Sequence, residues 1–454
     1  LDQPYIILIG FALLIALSYI FNILSKKMKI PSVLFLIGTG IGLKYAFDFY
    51  LIEIPESSFT KLVELLGQIG LLMIVLEAAV DLKLNRAKKT IIRNSFLLSL
   101  VVLVISSLCI AGAIMFLHDE PFFNSLLYAI PLSVVSSAVL IPSVHTLTRN
   151  KKEFLIYEST FSDIIGIMFF NFVVIQQNTF SLDGLVNILV TILLSIVLSV
   201  ALVYLFSKIK TEVKLFLMIA ILLLFYAIGK YFHLSSLLMI FIFGIVLNNP
   251  RIFFINKLEK YVNFLAIHRM TKDFRIITAE TAFVVRTFFF VAFGMFIDLS
   301  SLIDERVLLV GTLIVLIMYL IRYLNFKIFV KTDVFPEIFL APRGLITILL
   351  FFQIPLAYQI DEIGRGLLLF VILATGIIMM IALLATPEAK VEELTIVDIG
   401  LSPSNDQANN HPVYSEYDML LDSEDMEDIQ EPEKTVLRKK RRDPQHSKGK
   451  RKRR

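Results

Sequence analysis

Asp163 stands alone in an apolar run, Ser162-Asp163-Ile164-Ile165-Gly166-Ile167-Met168-Phe169-Phe170, within a stretch from Phe154 to Ile175 that otherwise reads as membrane-spanning. A carboxylate at that depth is costly in hydrocarbon, so it normally faces a polar pathway for ions or protons. Glu158, Ser159 and Ser162 lie within two helical turns of it, and Ser159 and Asp163, four apart, share a helix face. A hydroxyl, a carboxylate and carbonyls freed by a nearby broken helix are the oxygen ligands that a hard monovalent cation takes. The same carboxylate can hold a proton instead, because desolvation favours its neutral form. The expected cation ligands are Asp163, Ser159 and Glu158, with Ser162 beside them, and the two cargoes exclude each other. The alternative is an Asp that only ties helices together, a role more often taken by Ser, Thr or Asn.

Three further charges sit in apolar surroundings. Arg343, in Leu340-Ala341-Pro342-Arg343-Gly344-Leu345, stays protonated at any depth and must be paired. Glu158 is the expected partner, which gives Glu158 an orienting role and leaves Asp163 to titrate; snorkelling of Arg343 to the cytoplasmic face is the alternative. Arg286, in Val284-Val285-Arg286-Thr287-Phe288, also needs a counter-charge, with Glu77 the candidate and Glu280 the substitute. His145 and His233 lie near span ends and are expected to face headgroups. No phosphate-binding loop, metal-ligand Cys/His spacing or nucleophile elbow is present, so neither an enzyme nor an ATP-driven pump is expected. No cofactor is implied.

These residues need helices to hold them. The chain has 454 residues, of which 57% are hydrophobic and 18% charged, against roughly 25% charged in soluble domains. Apolar runs of roughly 16–26 residues recur about thirteen times, which predicts an all-α polytopic membrane protein. The first run, after Leu1-Asp2-Gln3, lacks a basic leader and a small-residue cleavage site and is expected to be a retained helix. The lone Cys109 excludes an intramolecular disulfide.

Loop charge supports the count. Lys26, Lys27 and Lys29 follow the first span, Glu53 and Glu56 the second, Lys88, Lys89 and Arg93 the third, and Asp119 with Glu120 the fourth. Basic loops face the cytoplasm, which puts the N-terminus outside and the C-terminal tail inside. The segment 250–279 reads as an amphipathic cytoplasmic linker, placed where two inverted repeats would join. The fifth span, Phe122–Leu147, is interrupted by Ser133, Ser136, Ser137 and Pro142; the twelfth, Phe335–Pro355, by Pro336, Pro342 and Gly344. Paired interruptions point to a transporter's binding site. From Val391 the chain turns polar, with an acidic run at 423–428 and a basic end at 448–454, which predicts a disordered cytoplasmic tail able to touch anionic lipids.

Glu158-Ser159-Thr160-Phe161-Ser162-Asp163 resembles the Glu-x-x-x-Asn-Asp signature of the monovalent cation:proton antiporter superfamily, sodium/proton exchanger branch. Ala341-Pro342-Arg343-Gly344-Leu345 resembles its Pro-Arg-Gly motif, and Arg286-Thr287-Phe288-Phe289-Phe290 with Gly294 its Arg-x-x-Phe-Phe segment. Two positions depart from the pattern. Ser162 stands for the Asn, and Ser136-Ser137-Ala138 for the usual Thr-Asp-Pro of the broken fifth span. The resemblance implies inverted repeats with two crossed broken helices, and a homodimer in which a core domain moves against a dimer-interface domain. Mapped here, residues 1–93 and 208–300 form the interface domain. Residues 94–207, with a connecting seventh span, and 301–390 form the core, followed by the tail at 391–454.

The expected function is one-for-one exchange of a monovalent cation, Na⁺ first and K⁺ or Li⁺ as alternatives, for a proton across a bacterial inner membrane. Membrane lipids are expected partners and nucleic acid is not. A K⁺/H⁺ exchanger or efflux system, and a non-transporting membrane scaffold or sensor with the tail as its output, remain the competing readings.

Overall fold

Unpaired backbone groups are not tolerated in hydrocarbon, so long apolar runs close their hydrogen bonds internally as helices. The computed structural model of the chain bears this out: the described residues form helices and no strand. Those residues are 3–49, 70, 72–82, 84, 88–144, 147–176, 182–208, 214–231, 235–254, 262–296, 299–302, 304–329, 334–360 and 365–386, all within the compact unit 1–389. The tail from Val391, the loop acids Glu53 and Glu56, and His145 and His233 lie outside them.

The helices are α1 (Gln3–Met28), α2 (Ser32–Phe49), α3 (72–81), α4 (Lys89–His118), α5 (Phe122–Ser133), α6 (Ser137–Leu140), α7 (Arg149–Gln176), α8 (Leu182–Lys208) and α9 (Lys214–Tyr231). They continue as α10 (Ser236–Asn248), α11 (Pro250–Phe253), α12 (Phe264–Phe296), α13 (Glu305–Phe329), α14 (Leu345–Phe352) and α15 (Arg365–Ala385). Among the described residues, five helical segments are long and apolar enough to cross a membrane by length and composition: Lys89–His118, Phe122–Ser143, Ala266–Met295, Glu305–Phe329 and Gly366–Ala385. Part of the expected third span, Leu62–Val80, lies outside the described residues.

Packing sorts the helices into two groups. One holds α4, α5, α7, α13, α14 and α15 around the two interruptions; the other holds α1 and α2 against α12, and α8 and α9 against α10. In the second group α2 and α12 approach to backbone contact. A Cβ at Gly40 would lie 2.1 Å from the Val291 carbonyl oxygen, and one at Gly294 2.3 Å from that of Ile37. Close approach of small residues is how helices associate where no hydrophobic force acts between them. On α3, Ala79 meets Gly244 of α10, and Gly70, just before α3, meets Val285 of α12, which brings that segment into the same group.

The segment 250–279 differs from expectation. Its second half is the start of α12, which runs unbroken for 33 residues into the span expected from Glu280. Ile267, Met270, Phe274, Thr278 and Ala282 are all buried, at helical spacing, so a single stripe carries through the polar stretch. Arg275 donates to the Val80 carbonyl at 3.1 Å and to Asn248 Oδ1 at 3.2 Å, and pairs with Asp81 at 3.1 Å. One charge of that stretch, Arg275, fastens α12 to α3 and α10, while Arg269, Lys272 and Asp273 are exposed.

Candidate functional site

The fifth span breaks where expected. α5 ends at Ser133, Val134–Ser136 run extended, and α6 resumes at Ser137, passing into a 3₁₀ turn at Ile141–Ser143. The twelfth span is a turn at 335–339, an extended link at 341–344 and then α14. The two links touch: the Ser136 N–H donates to the Pro342 carbonyl at 2.9 Å. A Cβ at Gly344 would lie 2.6 Å from Ser136 Oγ and 2.7 Å from Val139 Cγ2, so glycine lets the links meet.

α7 is unbroken and passes alongside with Asp163, 2% exposed. Its side chains satisfy the N–H groups that the break in α5–α6 leaves open. Val135 N–H donates to Ser162 Oγ at 2.9 Å, and Ser137 N–H to Asp163 Oδ2 at 3.0 Å. The Ser137 hydroxyl donates to the same Asp163 oxygen. Asp163 therefore sits at the start of α6, where the backbone N–H groups favour a negative charge. Its other oxygen, Oδ1, is buried with no hydrogen-bond partner, as are Ser136 Oγ and Thr347 Oγ1. No basic side chain bonds Asp163 among the described residues. Ser159 is fully buried, and its hydroxyl donates to the Ile156 carbonyl of its own helix at 3.2 Å.

The expected partner of Glu158 is corrected. Arg322 of α13, not Arg343, grips it with two nitrogens, Nη1 to Oε1 at 2.5 Å and Nη2 to Oε2 at 2.9 Å. Arg322 also donates to the carbonyls of Glu337 and Leu340 and lies over the Phe326 ring. With both oxygens held by a guanidinium, Glu158 is not a cation ligand in this state, against the expectation that it would be one. Arg343 sits instead in the extended link. It donates from Nε to the Leu132 carbonyl at 2.6 Å and from Nη1 to the Ala341 carbonyl at 2.9 Å. Leu132 lies in the last turn of α5, so the cation of Arg343 sits at the negative end of that half-helix. Arg322 had a legible signal that was passed over: a lone Arg within Met318-Tyr319-Leu320-Ile321-Arg322-Tyr323-Leu324.

On the facing group, Arg286 of α12 donates to Glu77 Oε2 of α3 at 3.0 Å. Its Nη1 also reaches the Ala138 carbonyl of α6 at 3.3 Å, so this pair touches the broken element directly.

Two crossed interruptions, with one buried acid from an unbroken helix capping the crossing, inside an all-helical membrane bundle, define a secondary transporter of cations. A family model described as sodium/hydrogen exchanger, transmembrane, matches residues 12–387. The chain belongs to that family of cation/proton antiporters. Among solved structures, it is similar to the sodium proton antiporter MjNhaP1 from Methanocaldococcus jannaschii at pH 8, with 19% identity and a TM-score of 0.63 over 84% of this chain and 98% of that one. An electron-microscopy map of the same antiporter gives 19% identity and a TM-score of 0.59 over 85% of this chain and 95% of the other. At that identity the likeness is one of fold. Comparison with the sequences of curated proteins gives no match.

Proposed function

We propose that the protein exchanges Na⁺ for H⁺, one for one, by competition at Asp163, as a homodimer with its N-terminus outside and its tail in the cytoplasm of a bacterial inner membrane. The observation that carries the reading is the state of Asp163: a buried carboxylate with one oxygen fixed by Ser137 and the other without a partner. Ser136 Oγ and Thr347 Oγ1, also without partners, belong to the two elements that cross beside it. All three are hard oxygens, the donor type that an alkali cation takes in place of its water. A proton on Oδ1 neutralises the same group and leaves the Ser137 bonds to the other oxygen. One negative charge is present to be satisfied, so one monovalent cation or one proton satisfies it, and the exchange is electroneutral.

The group holding α4, α5, α7 and α13–α15 then moves as the core, carrying Asp163, against the group built on α12 and α10. The Glu158–Arg322 pair ties α7 to α13 within the core and keeps the loaded site rigid as it moves. Asp163→Asn keeps a polar side chain but holds neither a charge nor a titratable proton. In vesicles with an imposed pH gradient, the wild-type protein is expected to dissipate the gradient on addition of Na⁺, and Asp163→Asn to give no cation-dependent signal. Exchange retained by the variant overturns the reading. Parallel additions of Li⁺ and K⁺ decide the preferred cation.

A further inference from the structure

Asp163 faces the crossing, and the other side of α7 lines a cavity of about 490 Å³ between α4, α7 and α10. Every side chain lining it is apolar. Its size falls within the roughly 300–1,000 Å³ typical of sites for small molecules and cofactors. Water has no polar partners in such a space, and an empty space forfeits dispersion contacts along its whole lining. The walls run along α7 from Phe161 to Phe172, which at about 1.5 Å per residue is about 16 Å, roughly half of a ~30 Å hydrocarbon core. The space is thus one leaflet deep.

The α4 wall supplies Phe96, Leu100 and Val104, a stripe at i, i+4, i+8. Continued backwards, the same stripe meets Arg93, three residues before Phe96, and Lys89, seven before it. Both are exposed, and neither makes an ion pair or a side-chain hydrogen bond among the described residues. The nearby Lys88 is different, since it is held by Glu153 at 3.1 Å. One helix face therefore reads, in order, two free cations and then an apolar slot as long as a leaflet.

We propose that this slot seats one acyl chain of an anionic phospholipid, with its phosphate held by Lys89 and Arg93. The order of chemistry along α4 is that of the lipid itself, and basic groups beside membrane-embedded helices are what hold anionic headgroups. The slot has α4 and α7 on one side and α10 on the other. If those groups move as the antiport reading requires, the lipid lies where they part and anionic lipid sets the ease of that movement. That consequence rests on the antiport reading; the binding does not.

The test is native mass spectrometry of the full chain in detergent, with equimolar dioleoyl phosphatidylglycerol and phosphatidylcholine. The wild-type protein is expected to retain phosphatidylglycerol over phosphatidylcholine by roughly ten- to thirtyfold, the scale that two basic side chains give against an anionic headgroup. Lys89→Gln with Arg93→Gln, both at exposed positions, is expected to bring the ratio near one. Leu100→Trp, which fills the slot, is expected to release both lipids. A double charge variant that keeps the wild-type preference, or a wild-type protein that retains neither lipid, overturns the proposal. No transport is measured, so the outcome is independent of whether Asp163 exchanges ions.

Discussion

Removing one partner of a buried ion pair strands the other charge, and that governs what to expect at Glu158 and Arg322. Both side chains are almost wholly buried, at 1% and 2% exposure. Glu158→Gln or Arg322→Gln alone is expected to cost about 3–5 kcal/mol, whereas replacing both with apolar residues of similar volume, Glu158→Leu with Arg322→Met, is expected to cost less than either. Thermal unfolding in detergent reads the difference, and additive losses in the double variant would deny the pairing. Arg343 is expected to behave differently. Two of its bonds go to carbonyls of the broken elements and a third to Met318 Sδ of α13 at 3.0 Å, so Arg343→Gln should destabilise the crossing with little dependence on the residue at 158. At this scale Glu77 and Arg286 were legible because each is an isolated charge in an apolar run and spacing left few alternatives. Glu158 was legible as a charge needing a partner, but two arginines, Arg322 and Arg343, lie in consecutive core elements. Sequence does not say that the extended link turns Arg343 towards the α5 carbonyls while the regular helix α13 aims Arg322 at α7.

At the scale of elements, the contact of α2 with α12 rests on missing side chains. Gly40 and Gly42 are both interior to α2, but a Cβ at Gly40 would meet the Val291 carbonyl at 2.1 Å, while nothing lies within 4 Å of one at Gly42. Backbone cannot move aside as a side-chain tip can. Gly40→Ala is therefore expected to destabilise the protein by about 1–3 kcal/mol, and Gly42→Ala to be neutral or to stabilise by up to about 1 kcal/mol through helix propensity. Equal melting temperatures for the two variants would refute this account of the contact. The breaks of α5–α6 and of the twelfth span were legible for a related reason: Ser, Pro and Gly cluster inside apolar runs only where backbone groups are freed and re-satisfied. The continuity of α12 was not legible. Arg275 read as surface chemistry like the exposed Lys272 and Asp273 beside it, because a sequence does not reveal that Asp81, Asn248 and the Val80 carbonyl wait on other helices to receive an arginine. A window average over 250–279 mixes the buried stripe of Ile267, Met270 and Phe274 with the exposed Arg269, Lys272 and Asp273 and with Arg275, which is packed.

For the whole molecule, the consequential geometry is where the two groups of helices meet. Among the described residues few polar contacts cross between them, and the one from Arg286 to the Ala138 carbonyl, at 3.3 Å, is long enough to be given up. The apolar slot opens along the same boundary, with Ile165 of α7 on one wall and Ile245 of α10 on the other. Apolar surfaces without interlocking charges slide at small cost, which is what alternating access by rigid-body movement demands. Cys109 is the chain's single thiol and is exposed, so Cys109→Ala gives a cysteine-free background. In that background, Ile165→Cys with Ile245→Cys can be bridged by bifunctional thiol reagents of graded length. Bridging by the shortest reagent that spans the slot is expected to arrest Na⁺-dependent exchange, cleavage of the bridge to restore it, and longer reagents to restrain it less. The single-cysteine variants, treated alike, should exchange normally. If fully bridged protein exchanged at the unbridged rate, α7 and α10 would not move apart in the cycle, and Asp163 would have to reach both sides of the membrane by rearrangement within the crossing alone.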